Sequence, residues 1–197
     1  MQRTLVTYAS RAGATAEIAH VIAAQLRAAG LDVTCCEIRE AHGVDRYEAF
    51  VIGSAVYAGH WMRPARAFLR RNRELLESRP LWAFSSGPVG APRAGQTGHA
   101  GSTEPKRVSS ELRRLGARDT IAFGGRVADD PRGFTARAVA RNTPEEYRDR
   151  RDWCEIRAWA DTIAAVLAPV TEIDSSTTAA ARAGEPARRR APEPVGV

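Results

Sequence analysis

The sequence predicts an α/β fold: a three-layer sandwich whose five-stranded parallel sheet, order 2-1-3-4-5, carries helices on both faces. Three observations predict it. Short apolar runs alternate with amphipathic helical patterns along the chain, as strands and helices wound into a parallel sheet require. The run Ala49-Phe50-Val51-Ile52-Gly53-Ser54 is apolar on both sides of the pleat, as a central strand covered on both faces must be. Five strands and four main helices in alternation, joined by right-handed crossovers, then give the strand order.

Each element has its own warrant. The first strand covers residues 4–8, and the helix after it, 15–29, places Ile18, Ile22 and Leu26 on one face and stops at Gly30. A second strand is expected over 31–38 and the third over 49–54. A helix over 61–76 tolerates Pro64 in its first turn and turns Ala65, Phe68, Leu69 and Leu76 inward. The fourth strand is 81–84, and a Gly/Pro/Ser-rich loop runs from Ser85 to Thr103. A helix over 104–115 carries Val108, Leu112 and Leu115 inward, and the fifth strand covers 120–125. An Arg/Asp-rich stretch from Arg126 to Asp152 shows no clear periodicity. The last helix, 153–167, aligns Ile156, Trp159, Ala160, Ile163 and Leu167, and Pro169 ends it. Residues 1–170 are expected to form one domain. Residues 171–197, rich in Ala, Arg, Pro and Glu without an apolar pattern, are expected to be a disordered tail.

The 197 residues suffice for a substantial core. The first residues run into a strand rather than a signal-peptide apolar region, and no stretch approaches a membrane span. A cytoplasmic protein is expected, at most peripheral to the inner face of the membrane. Cys35, Cys36 and Cys154 form no CxxC pair, and His20, His42, His60 and His99 have no metal-ligand spacing, so neither a disulfide nor a zinc site is expected. The net charge is +6, with Lys106 the single lysine. The tail is not its source: Arg182, Arg188, Arg189 and Arg190 balance Glu172, Asp174, Glu185 and Glu193. The excess lies in the folded part and favours anionic small molecules or surfaces.

In this topology the binding crevice lies beyond the carboxyl ends of the first, third and fourth strands. The first loop there, Ser10-Arg11-Ala12-Gly13-Ala14-Thr15, joins a strand to a helix N-terminus and suits a phosphate. Backbone N–H groups of the first turn point at the anion, Ser10 and Thr15 add hydroxyls, and Gly13 lets the backbone pass close by. The second loop, Ser54-Ala55-Val56-Tyr57-Ala58-Gly59-His60, offers small residues beside aromatics, and Tyr57 or Trp61 could stack on a flat apolar ring. The third loop, with Ser85, Ser86, Gly87 and Val89, can present backbone groups to a polar ring edge. A phospho-receiver would need acidic residues after the first and third strands, where Ser10 and Ser54 stand. A tyrosine phosphatase would need a cysteine in the first loop. A dinucleotide site would need G-x-G-x-x-G. FMN, with one phosphate, matches best.

These residues carry a family resemblance. Tyr8-Ala9-Ser10-Arg11-Ala12-Gly13-Ala14-Thr15-Ala16-Glu17-Ile18-Ala19 resembles the FMN phosphate loop of flavodoxin-domain proteins. More narrowly it is similar to the quinone-dependent protoporphyrinogen IX dehydrogenase branch, as are residues 51–60 with their Gly59-His60 pair and Asp152-Trp153 at the final helix start. The resemblance implies a flavodoxin-like sandwich and an FMN oxidoreductase that takes hydrogens from a porphyrinogen and passes electrons to a quinone. An alternative is a flavodoxin-like electron-transfer protein without its own substrate. Arg63, Arg66 and Arg93 could meet the carboxylates of a porphyrinogen, or be solvated surface residues. His60 could donate a proton or a structural hydrogen bond, and no catalytic residue is assigned. Nucleic acid is not an expected partner. Three departures stand out: Ala12 where flavodoxins usually supply another hydroxyl, a short polar segment over 128–151, and the tail.

Overall fold

The computed structural model describes residues 2–87, 106–127, 130–131 and 134–168. Along the chain these form β1 (Arg3–Ala9), α1 (Ala14–Ala28), β2 (Asp32–Glu37), β3 (Ala49–Tyr57), β4 (His60–Trp61), α2 (Arg63–Arg71) and α3 (Arg73–Glu77). They continue with β5 (Leu81–Ser86), α4 (Lys106–Arg114), β6 (Asp119–Phe123), α5 (Phe134–Asn142) and α6 (Trp153–Leu167). Short 3-10 turns occupy Val44–Arg46 and Glu145–Tyr147.

The parallel strands lie in the order β2-β1-β3-β5-β6, which is the expected 2-1-3-4-5 when parallel strands alone are counted. The sixth strand, β4, was not expected; it adds to β3 in antiparallel sense. Register explains the two-sided core. Val6 lies beside Val51 and Val51 beside Trp82, while one residue earlier Leu5, Phe50 and Leu81 are aligned. Because side chains alternate across the pleat, the first row faces α1 and α6 and the second faces α2, α3 and α4. Ile18, Ile22 and Leu26 of α1 are fully buried in the cluster shared with the sheet and α6, each contributing about 1.5–3 kcal/mol of apolar burial. Gly53 in the central strand admits the Phe84 ring: a Cβ there would lie 2.1 Å from Phe84 Cζ.

Two helical expectations are corrected. The helix expected over 61–76 is two helices that meet at Asn72, whose side-chain amide and backbone N–H both donate to the Phe68 carbonyl, at 3.0 and 3.1 Å. Trp61 lies before it, in β4. The stretch expected to lack periodicity, 126–152, contains α5 and a 3-10 turn. Its pattern is faint because the helix is Arg-rich and leaves Val139 exposed. On either side of α5 the backbone pairs with itself: Val127 N–H donates to Arg148 O at 2.7 Å and Arg150 N–H to Gly125 O at 3.0 Å. Gly124 makes this approach possible, since a Cβ there would lie 1.9 Å from Arg150 O. The expected tail 171–197, the domain boundary at 170, and most of the loop to Thr103 lie outside the described residues.

Candidate functional site

Parallel winding brings the carboxyl ends of β1, β3 and β5 side by side, with the α1 N-terminus above them. Here the first loop ends in Gly13, left-handed at φ 87°, ψ −29°. Ser10 Oγ accepts the Gly13 N–H at 3.1 Å and keeps its own proton to donate. No side chain caps α1. By contrast α6 is capped by Asp152, whose Oδ1 accepts from the N–H groups of Cys154 and Glu155 at 2.9 and 3.0 Å. A helix start at a sheet's carboxyl edge, open to an outside acceptor, is an anion site in waiting. Arg11 is exposed beside it, Ala12 is partly exposed, and Ala14 and Thr15 are buried in the first turn.

Glu17, in that first turn, would oppose an anion were its charge bare. It is matched twice: Arg126 Nη2 lies 3.0 Å from Oε1 and Arg151 Nη1 2.6 Å from Oε2. Arg151, whose side chain is 4% exposed, also grips Asp149 through Nε at 2.8 Å and Nη2 at 2.6 Å. Its guanidinium stacks 4.5 Å over the Trp153 ring. This pairing holds the Asp149 carboxyl below its ordinary range. The network neutralises Glu17 and ties 126–151 to the first turn of α1. Sequence reading missed it, since the partners lie 109 and 134 positions apart and leave no local signal.

The second region differs from the expected loop. Ser54, Ala55 and Val56 belong to β3, which runs on to Tyr57. Ala58 at φ 48° and Gly59 at φ 73° then make a tight hairpin, pairing Tyr57 with His60 and Val56 with Trp61. Trp61 is thereby buried, and its Nε1–H donates to Ser85 Oγ at 2.8 Å. It cannot stack on a ligand; it supports the shelf from beneath. Ser54 is likewise committed, donating to Ala55 O at 2.9 Å and accepting the Met62 N–H at 3.0 Å. Tyr57, 45% exposed, is the aromatic that remains on the surface. Burial pushes its phenol up, and the Arg11 charge, within electrostatic reach, opposes that shift. His60 is exposed on the same hairpin.

Of the third region, Ser85 and Ser86 are the last residues of β5, and both are buried. Gly87 turns the chain at φ 109° and donates its N–H to Phe123 O at 3.1 Å. Val89 and Arg93 lie outside the described residues. Arg63 is exposed at the start of α2, and Arg66 is partly buried, its Nε without a hydrogen-bond partner.

A family profile described as the flavodoxin domain matches residues 5–145. The chain belongs to the flavodoxin domain family. Solved structures agree in fold. A flavodoxin from an archaeon superposes with a TM-score of 0.55 at 17% identity, covering 84% of this chain and 98% of its own. A cysteine variant of the Pseudomonas aeruginosa flavodoxin gives 0.55 at 16%, covering 84% and 99%. Rubredoxin oxygen:oxidoreductase from Desulfovibrio gigas gives 0.54 at 16%, matching 84% of this chain but 36% of that one. No curated protein sequence matches the chain significantly. Flavodoxin domains typically bind FMN. The flavodoxin domain here fits the phosphate end of that group through Gly13, Ser10 and the uncapped α1 start, and Tyr57 gives it an accessible aromatic face.

Proposed function

We propose that this chain is an FMN-binding electron-transfer protein. The observation that carries the reading is the open start of α1, preceded by left-handed Gly13, at the carboxyl edge of a flavodoxin-domain sheet. Backbone and hydroxyl groups of Ser10, Arg11, Ala12, Gly13, Ala14 and Thr15 hold the phosphate, with the helix dipole and Arg11 supplying positive potential. Tyr57 covers one face of the ring, while Ala55, Val56, Ala58 and Gly59 shape the wall beside it. Ser86 and Gly87 border the polar edge. Ser54 and Ser85 act indirectly, by fixing Met62 and Trp61. Bound FMN supplies one- and two-electron chemistry; the protein sets its position and surroundings.

Dehydrogenation of a porphyrinogen, with a quinone as acceptor, is the second reading. It is favoured by the exposed His60 on the hairpin and the exposed Arg63 at the start of α2, positions that could meet a carboxylate-bearing substrate. Colour tests the first reading. Purified protein should be yellow, or become so on reconstitution, and release FMN rather than FAD on denaturation; a protein that stays colourless after reconstitution overturns it. Anaerobic mixing with protoporphyrinogen and a soluble quinone tests the second. Red porphyrin fluorescence above a free-FMN control supports dehydrogenation, and its absence leaves electron transfer alone.

A further inference from the structure

The charge of the molecule is divided unevenly between its two helical layers. α2, α3 and α4 carry nine lysine and arginine residues against three glutamates, whereas α1 and α6 carry two arginines against three carboxylates. The first layer by itself holds an excess equal to the +6 of the whole chain. α2 has no carboxylate at all. Arg63, Arg70 and Arg71 on α2 and Arg114 on α4 are exposed, and none pairs with a carboxylate among the described residues. Between α2–α3 and α4 runs a groove of about 630 Å³, floored by Leu69 and Leu115 and rimmed by Arg70, Arg73 and Arg114.

We propose that the α2–α4 face docks an acidic protein, whose carboxylates meet these arginines and whose protruding segment enters the groove. So much unpaired like charge on one face is costly unless a partner of opposite sign uses it. Arginine rather than lysine suits carboxylate, which its planar fork can bind through two parallel hydrogen bonds. A groove admits a protein segment better than a flat bilayer. The large apolar side chains exposed among the described residues are Tyr57, Val139 and Val166, none of them on this face to enter lipid. Glu111 lies inside the groove, where it would repel a polyphosphate backbone but can accept from a basic residue of a mixed acidic segment. The chain's own residues 171–197 are balanced in charge and offer no acidic excess. Arg63 follows directly on the Tyr57–His60 hairpin, so a partner on this face sits beside the candidate site. Docking here needs no bound flavin.

Full-length protein, with and without added FMN, is titrated against fluorescent poly-L-glutamate, a short DNA duplex and phosphatidylglycerol-containing vesicles. Poly-L-glutamate should bind tightest, with amide shifts confined to α2 and α4, and weaken about tenfold between about 50 and 200 mM salt. The double variant Arg70→Glu/Arg114→Glu should lose about tenfold or more in affinity. Arg137→Glu/Arg141→Glu on α5 makes the same charge change elsewhere and should lose less than about twofold. Should the reversal unfold the protein, Arg70→Gln/Arg114→Gln replaces it, with a loss of about threefold expected. No binding of poly-L-glutamate at low salt overturns the proposal. So do tighter binding of DNA or vesicles, or an equal loss in the α5 control.

Discussion

At the residue scale, two positions are held by what surrounds them rather than by their own chemistry. Gly53 is one: its missing Cβ is the space that the Phe84 ring occupies. Gly53→Ala is expected to destabilise the fold by about 1–3 kcal/mol, read as a lower urea midpoint, and pairing it with Phe84→Leu should recover part of the loss. Asp149 is the other. Its folded carboxyl titrates below the ordinary range, chiefly because Arg151 donates to it. A depressed carboxylate contributes stability that is present above its unfolded value and lost as pH falls through the lower folded value. Asp149→Asn should therefore flatten the acid limb of a stability–pH curve while lowering the plateau near neutrality. An acid limb identical to wild type would show that the Asp149–Arg151 contact does not stabilise the fold.

At the element scale, two helix starts are built in opposite ways. α6 closes its own N-terminus with Asp152, and α1 leaves its start open. Asp152→Ala should cost about 1 kcal/mol, which for a domain of this size lowers Tm by roughly 2–4 °C in a thermal melt. The hairpin between β3 and β4 carries Ala58 at φ 48°, a conformation that costs an L-residue about 1–2 kcal/mol. Ala58→Gly should raise Tm by a few degrees, about what relief of that strain is worth. A lower Tm would mean that the methyl group packs more than it strains. The hairpin also determines which aromatic faces outward: pairing places Trp61 underneath, against Ser85, and leaves Tyr57 on the surface.

At the scale of the whole molecule, cofactor, charge and stability are coupled. A ligand that binds only the folded protein stabilises it by mass action. FMN at about a hundred times its dissociation constant should add about 2.7 kcal/mol, seen as a concentration-dependent rise in Tm. Riboflavin, which lacks the phosphate, should give a much smaller rise. Equal shifts would remove the phosphate loop from the site.

The strands and their order were legible because hydrophobic pattern and crossover handedness are properties of the chain. Val6, Val51 and Trp82 declare one face, and Leu5, Phe50 and Leu81 the other. The turn proposed to hold the phosphate was legible for the same reason: strand, Gly13 and helix start are contiguous. The arginine clamp on Glu17, the inward turn of Trp61 and the commitment of the Ser54 and Ser85 hydroxyls were not. Each joins residues distant in sequence or depends on strand pairing, which no local pattern encodes. Sequence alone determined the sandwich and its core, and singled out the turn proposed to hold an anion. Tertiary structure decided which side chains around that place reach outward and which are spent holding it, because hydrogen-bond partners are assigned only once the sheet has closed.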